Sequence, residues 1–547
     1  MQLLEPLLFV AYYYGCLFCT EERLWAIFAR RPLHTLRTSW FTSKQILPAH
    51  VIMTSLFGIA LPRSCAAIRR ACLTDYRCAS RLSRDAWGWY DNDDGQWRAY
   101  RGSLGTLVLA AAAMTIITRR VAQKRTARLA CGLVFVAVVH GGGAVCIVGV
   151  CALFHTASFL PVKLAIPAGW VLALACLLAK DPALPYRRSL PAPRWPLLGA
   201  GVYAWPDALP LLVLRLVSHI ADATHARQGG ARPAGYALQD CLAHALYAPL
   251  YLAGPIVSKD AFRTSVSKPI SRHDVSYALR TLVVGGFLEV ILRRCPAFAL
   301  GASGAFRHLG AADSAAFALI ILNVLWLKFC FMWRVARAWA LLDGVDPPEN
   351  MDRFVCDAFS AGGFWRGWHG SFNRWLVAYV YKPLLGAQAS SATKFGATGV
   401  VFAFVALWHD ARPKLFAWGL INFGLVGLER VMRVEARAKR VVERAGPPSS
   451  EAFFVCFLSA LNLTLLIGGN VVGYAAGVGG ARTLASGVFA PAALGTAALA
   501  AWAVLASGTF VALAVRRIES EERNNSNLKP YYTLHTLARR HSSAYDA

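Results

Sequence analysis

Acidic residues are what this chain has least of for its length. Of 547 residues, 30 are Asp or Glu against 57 Lys or Arg, and the charged share is 16%. A water-soluble domain carries about 25% charged residues, so the deficit argues against a string of ordinary soluble domains. No period of about 20–50 residues recurs, which excludes a solenoid. The two halves lack the internal similarity of transporter folds built from duplicated repeats. No GxSxG occurs, and no cysteine adjoins the histidines singled out below, so nucleophilic catalysis lacks a candidate. HxxxH and HExxH spacings are missing too, and no metal site is expected.

What is present is apolar. Hydrophobic residues make up 56% of the chain, and the mean hydropathy is +0.43. Runs of about 17 to 25 apolar residues, long enough to cross a hydrocarbon core as helices, recur along the whole sequence. Among them are 104–117, 129–154, 157–178, 197–217, 236–257, 277–292, 311–333, 394–408, 415–431, 453–474 and 489–515, with weaker ones at 6–19 and 45–61. The expected fold is all-α, a polytopic transmembrane bundle of about ten to twelve spans. The start, "MQLLEPLLFV", lacks a basic segment and carries Glu5, so a signal anchor is expected rather than a cleaved leader.

The net charge of +27 raises nucleic-acid binding as a rival reading. Its distribution rejects that, because the cations sit in short loops between spans, as in 118–128 and 429–444. Such loops face the cytosol and attract anionic headgroups. Of the 14 cysteines, most lie within apolar runs and read as small buried hydrophobes. "CLFC" at 16–19 has metal or redox spacing but no second pair. Residues 62–101 read as a polar connector ending in an interfacial loop of four acids, and 218–235 as a polar loop in which His219 and His225 are solvated. The expected layout is an anchor and basic connector over 1–84, a core over 85–516, and a disordered polar cytosolic tail over 517–547.

Two stretches carry the chemistry. "FWRGWHGSFNRWLVAYVYKPLLG" (364–386) sets Arg366, His369, Asn373 and Arg374 among tryptophans, and Gly362-Gly363 before it and Pro383 after it predict a kinked or re-entrant segment. Read as one helix, Trp365, His369 and Asn373 share a face. "FAFVALWHD" (402–410) ends an apolar run on His409. Ionisable groups at membrane depth face a protein interior or a wet cavity. Two histidines forty residues apart could therefore converge on one buried chamber, where neutral imidazole serves as general base toward an attacking hydroxyl.

With "YAPLYLAGPIV" (247–257) and "LLIGGNVVGYAAG" (465–477), these stretches resemble the membrane-bound O-acyltransferase family. The resemblance covers roughly residues 85 to 520 and is specific in its middle third; it points to the glycerol-uptake-protein branch, related to hedgehog acyltransferases. The resemblance implies a central acyl-transfer chamber, with His409 as the signature base and His369 as the second active-site position. Asn373, Arg366 and Trp408 match motif positions and are expected to bind substrate. It implies transfer from acyl-CoA, a substrate and not a cofactor, to a hydroxyl of a lyso-glycosylphosphatidylinositol anchor in the endoplasmic reticulum membrane. Physically, His369, Asn373 and the Trp408 indole N–H are candidate donors to a developing oxyanion. A polyol or proton-coupled transporter, a hedgehog-acyltransferase-like protein acyltransferase and a non-catalytic scaffold are the competing readings.

Overall fold

The computed structural model describes residues 52–524, apart from short stretches of which the longest are 194–198, 228–234, 265–268, 445–448 and 490–496. The expected span at 6–19, most of that at 45–61, the CLFC pair and the tail beyond 524 lie outside the described residues. Apolar runs too long for strands become helices, and the architecture is all-α, with one two-stranded hairpin among the described residues. The longer helices in chain order are α1 (Leu61–Thr74), α2 (Gly95–Arg120), α3 (Lys124–His140), α4 (Ala144–Ala157), α5 (Val162–Lys180), α6 (Leu209–Arg227), α7 (Arg272–Arg294) and α8 (Ala311–Leu342). After a broken segment come α9 (Ala361–Gly367), α10 (Gly370–Leu376), α11 (Ser391–His409), α12 (Pro413–Met432), α13 (Val434–Glu443), α14 (Ser450–Asn470) and α15 (Ala497–Asn524). Among the described residues, nine helical segments are long and apolar enough to cross a membrane.

Two expected spans are not single crossings. Residues 197–217 and 236–257 give way to α6 and to the short helices Leu238–Ala245 and Ala248–Tyr251. Helix α6 continues through the stretch read as a polar loop, and Ser218, His219, Asp222 and Thr224 on it are all buried. His219 is therefore not solvated: its polar neighbours turn inward, which hydropathy cannot distinguish from exposure. His225 lies in the last turn of the same helix.

The connector at 62–101 is also more ordered than its composition suggests. Helix α1 and a short helix (Tyr76–Ala79) are stapled by the Cys72–Cys78 disulfide, and β1 (Leu82–Asp85) pairs antiparallel with β2 (Gly88–Asp91). Asp91 is fully buried and accepts the backbone N–H groups of Asp93, Phe298 and Ala299. Burial nevertheless pushes its carboxyl up to about 7. Asp94 caps α2 through the Trp97 N–H and holds the buried Lys328 ammonium at 2.9 Å. The acids expected in an interfacial loop thus anchor the hairpin and α8.

The boundary expected at 84 falls inside β1, and that at 516 inside α15. Beyond 516 the helix runs on to Asn524, with Arg516 paired to Asp357 and Glu519 to Arg353. The charged tail therefore begins as a packed helix, because its charges find partners on the 353–357 turn.

Two cores result. One gathers α1, α7, α14 and α15 around α8; the other packs α3 to α6 against α10 and α11. Helix α8, about 48 Å long at 1.5 Å per residue, contributes most to the first. The fully buried Arg334 on α8 is balanced by Glu349 at 3.1 Å, which also accepts the Tyr277 hydroxyl at 2.7 Å. A charge at that depth without such a partner would be strongly destabilising.

Candidate active site

Between the cores lies a cavity of about 830 Å³. Its lining includes Trp333, Met332 and Asn323 of α8, Phe372 and Asn373 of α10, Trp408 and His409 of α11, and His369. Its size suits a long flexible ligand. All five sequence-predicted residues (His409, His369, Asn373, Arg366 and Trp408) lie on its lining.

His369 is not part of a continuous helix. Helix α9 ends at Gly367, α10 starts at Gly370, and His369 sits between them in the left-handed region with φ 49° and ψ 49°. The shared helical face expected for Trp365, His369 and Asn373 does not exist. A non-glycine residue held there costs about 1–3 kcal/mol, so the surroundings must over-determine it. They do. The Gly370 N–H donates to the Asn350 carbonyl at 2.8 Å, and the Ser371 N–H and hydroxyl both donate to Asn350 Oδ1, at 3.1 and 2.5 Å. The Ile256 N–H in turn donates to Ser371 Oγ at 2.7 Å. The imidazole lies 4.3 Å from the Trp333 ring and 5.2 Å from the Phe372 ring, centre to centre. The kink anticipated within 364–386 thus falls at His369.

His409 is the last residue of α11, where helix carbonyls lack intrahelical donors. Lys180, at the end of α5, donates its ammonium to the His409 carbonyl and pairs with Asp410 at 2.9 Å. The Ala411 N–H donates to the neighbouring Asp181. Two helix ends are thereby tied together, fixing the backbone from which the ring projects. Trp408, Trp418 and Tyr474 pack against that ring, with centroids 4.7, 6.2 and 5.5 Å away. Gly473 makes room, since a Cβ there would meet Trp418 Cδ1 at 2.8 Å.

The tryptophans are held by their own N–H groups. Trp365 donates to Asn422 Oδ1 at 3.0 Å, Asn422 donates to the Trp418 carbonyl at 2.8 Å, and Trp418 donates to Asn470 Oδ1 at 3.0 Å. Trp408 donates to the Pro210 carbonyl at 2.8 Å. Its N–H is thus occupied by structure, and the expected role as oxyanion donor does not fit it. Arg366 sits at the cavity rim, 58% exposed on its side chain and paired with Glu435. Among the described residues, no group hydrogen-bonds either the His369 or the His409 ring, and the Asn373 amide has no partner either. Three polar side chains therefore point their chemistry at the cavity and not at the protein. Asn350, Lys180, Asn422 and Asn470 escaped the sequence reading, because isolated polar residues in apolar or loop segments carry no spacing signal.

Residues 206–467, which hold this cavity's two histidines, match the membrane-bound O-acyltransferase family. The matched segment makes up just under half of the chain. It is similar to the membrane-bound O-acyltransferase gup1 of Schizosaccharomyces pombe, 35% identical over 294 residues, covering 53% of this chain and 49% of that one. Membrane-bound O-acyltransferase GUP2 of Saccharomyces cerevisiae is 34% identical over 254 residues, covering 45% and 40%. Protein-cysteine N-palmitoyltransferase HHAT of Mus musculus is 28% identical over 151 residues, covering 27% and 30%. The chain thus spans about half the length, or less, of the relatives it matches.

Proposed function

We propose that the chain is a multi-pass membrane O-acyltransferase that moves a fatty acyl group from acyl-CoA to a hydroxyl of a lipid acceptor. The carrying observation is the pair of imidazoles without protein hydrogen bonds lining one cavity, inside a segment matching the family. His409 takes the proton of the acceptor hydroxyl as its oxygen attacks the thioester carbonyl. The Asn373 amide donates to the developing oxyanion. When the C–S bond breaks, the protonated His409 returns its proton to the departing thiolate, so His409 ends unchanged. His369 orients the acyl donor against the Trp333 face. The aromatic lining excludes the water that would otherwise hydrolyse the thioester, and no covalent enzyme intermediate is needed when both substrates are held together.

The two cationic stretches expected as loops are largely helical and differ from each other. Arg430, in the last turn of α12, lies on the cavity wall and is a candidate contact for the CoA phosphates. In 118–128, Arg119 at the end of α2 donates to the Leu342 carbonyl and Arg128 in the first turns of α3 pairs with Asp343, so these two cations tie the helix ends to the end of α8. We take the acceptor to be a lyso-glycosylphosphatidylinositol and the membrane to be the endoplasmic reticulum; the similarity to the O-acyltransferases gup1 and GUP2, at higher identity than to the protein-cysteine N-palmitoyltransferase HHAT, favours a hydroxyl acceptor over a cysteine amine. The test is acyl transfer by purified protein from acyl-CoA to lyso-lipid acceptors and to an N-terminal-cysteine peptide, wild type against His409→Ala. We expect transfer to the lipid alone and a loss of about 10²–10⁴-fold in the variant. Equal activity in the two proteins would remove His409 as the base. Solute movement without acyl transfer would favour the transporter.

A further inference from the structure

Away from the chamber, three elements bring metal-ligating side chains to one point. His155 comes from the last turn of α4, His219 from α6, and Cys241 from the short helix Leu238–Ala245. His155 is 9% exposed, and His219 and Cys241 are fully buried. Their ligand atoms lie within 4.8 Å of one another, and His155 Nδ1 is 3.3 Å from His219 Nε2.

That last distance is informative. Two imidazole nitrogens each about 2.0–2.1 Å from one tetrahedral ion stand about 3.3 Å apart. A thiolate bonded at about 2.3 Å completes the set after a side-chain adjustment of about 1 Å. Aromatic rings close the surroundings: Phe159 packs edge-on to His155 with centroids 5.1 Å apart, and Tyr236 lies 6.0 Å from His219. The buried Lys259 ammonium also stands 6.0 Å from the Tyr236 ring, and burial of the three ligands limits competition from water. Oxygen-seeking ions such as magnesium or calcium do not suit two nitrogens and a sulfur.

We propose that His155, His219 and Cys241 bind one thiophilic d10 metal ion, zinc(II) or copper(I). On binding, the Cys241 thiol loses its proton to solvent and the metal–sulfur bond forms, with both imidazoles neutral. Copper(I) would be satisfied by these three ligands with no net charge. Zinc would carry a net positive charge and recruit a fourth ligand. The ion would clamp α4, α6 and the 238–245 helix beside the catalytic wall, to which α6 is joined by the Trp375 N–H donating to the Leu214 carbonyl at 2.9 Å and by the Tyr379 hydroxyl donating to Asp222 at 2.7 Å.

The experiment is elemental analysis of the full chain, purified in detergent by a tag free of histidine and washed with a weak chelator. Wild type should carry about one equivalent of zinc or copper per chain; Cys241→Ser and His219→Leu should each carry less than about a tenth of that. Cys131→Ser, a buried thiol outside the cluster, should keep the metal. Because the ligand variants could misfold, stripped wild-type protein is also titrated with cobalt(II) and with copper(I). Intense visible cobalt bands with thiolate charge transfer, or one tightly held copper(I), support the site and tell the two ions apart. Wild-type protein with neither metal and no response to either titrant overturns the proposal, as does full metal content in well-folded Cys241→Ser.

Discussion

His140 and His409 pose the same puzzle to a reader of the sequence, and the structure solves it in opposite ways. Each is the last residue of an apolar helix, α3 and α11 respectively. His140 has both ring nitrogens engaged: Nδ1 lies 2.8 Å from the Tyr203 carbonyl and Nε2 lies 3.0 Å from the Tyr251 hydroxyl. A carbonyl can only accept, so Nδ1 carries the proton and Nε2 accepts from the tyrosine. Nothing is left over for a substrate. The His409 ring, among aromatic neighbours and open to the cavity, has no such partner among the described residues. A histidine at the end of an apolar helix is thus a lock in one place and open to a cavity in the other, and the difference lies in what arrives from elsewhere in the chain.

Exchanging the losses gives the sharpest way to break this contrast. His140→Leu leaves the Tyr251 hydroxyl and the Tyr203 carbonyl buried without their partner, and should cost about 1–3 kcal/mol of stability. Turnover per folded molecule should stay within about twofold. Thermal unfolding in detergent, run beside the acyl-transfer assay, reads both quantities. If His140→Leu abolished turnover at unchanged melting temperature, the two histidines would not be separable as argued. His409→Ala should show the reverse pattern, an unchanged melt and lost activity.

A smaller effect is expected from the support of His409. Lys180→Met removes the ammonium bound to the His409 carbonyl and to Asp410 while keeping the length of the side chain. The ring should then be held less well, lowering kcat about tenfold, close to 1.4 kcal/mol in the barrier, with KM little changed. Single-substrate titrations at saturating co-substrate would separate the two constants. A wild-type kcat would show that the helix-end tie does not position the base.

The smallest effect is expected at the hairpin. Asp91 has its carboxyl raised to about 7 by burial. The folded state then holds the proton more tightly than the unfolded chain, whose aspartates titrate near about 3.9. The contribution to stability is complete below about pH 4 and is lost as pH rises through about 7. Wild-type protein should therefore melt about 1–2 °C lower at pH 8 than at pH 5, and Asp91→Asn should flatten that slope. A slope unchanged in Asp91→Asn would assign the pH dependence to other groups.

Much of this molecule follows from its sequence alone. Apolar runs of membrane length dictate helices, since a backbone in lipid must satisfy its own hydrogen bonds. Trp-rich segments holding His369 and His409 marked the site, because polar groups set in such surroundings need a cavity to face. Only the tertiary structure decided the rest. It broke the helix at His369, occupied the Trp408 N–H with Pro210, and turned His219 from an expected solvated residue into a buried neighbour of His155 and Cys241. Those three candidate ligands are separated by 64 and 22 positions, so no local motif could announce them. Hydropathy and periodicity are properties of neighbouring residues, whereas the hydrogen-bond partner that makes a buried histidine inert, or leaves it reactive, comes from another helix.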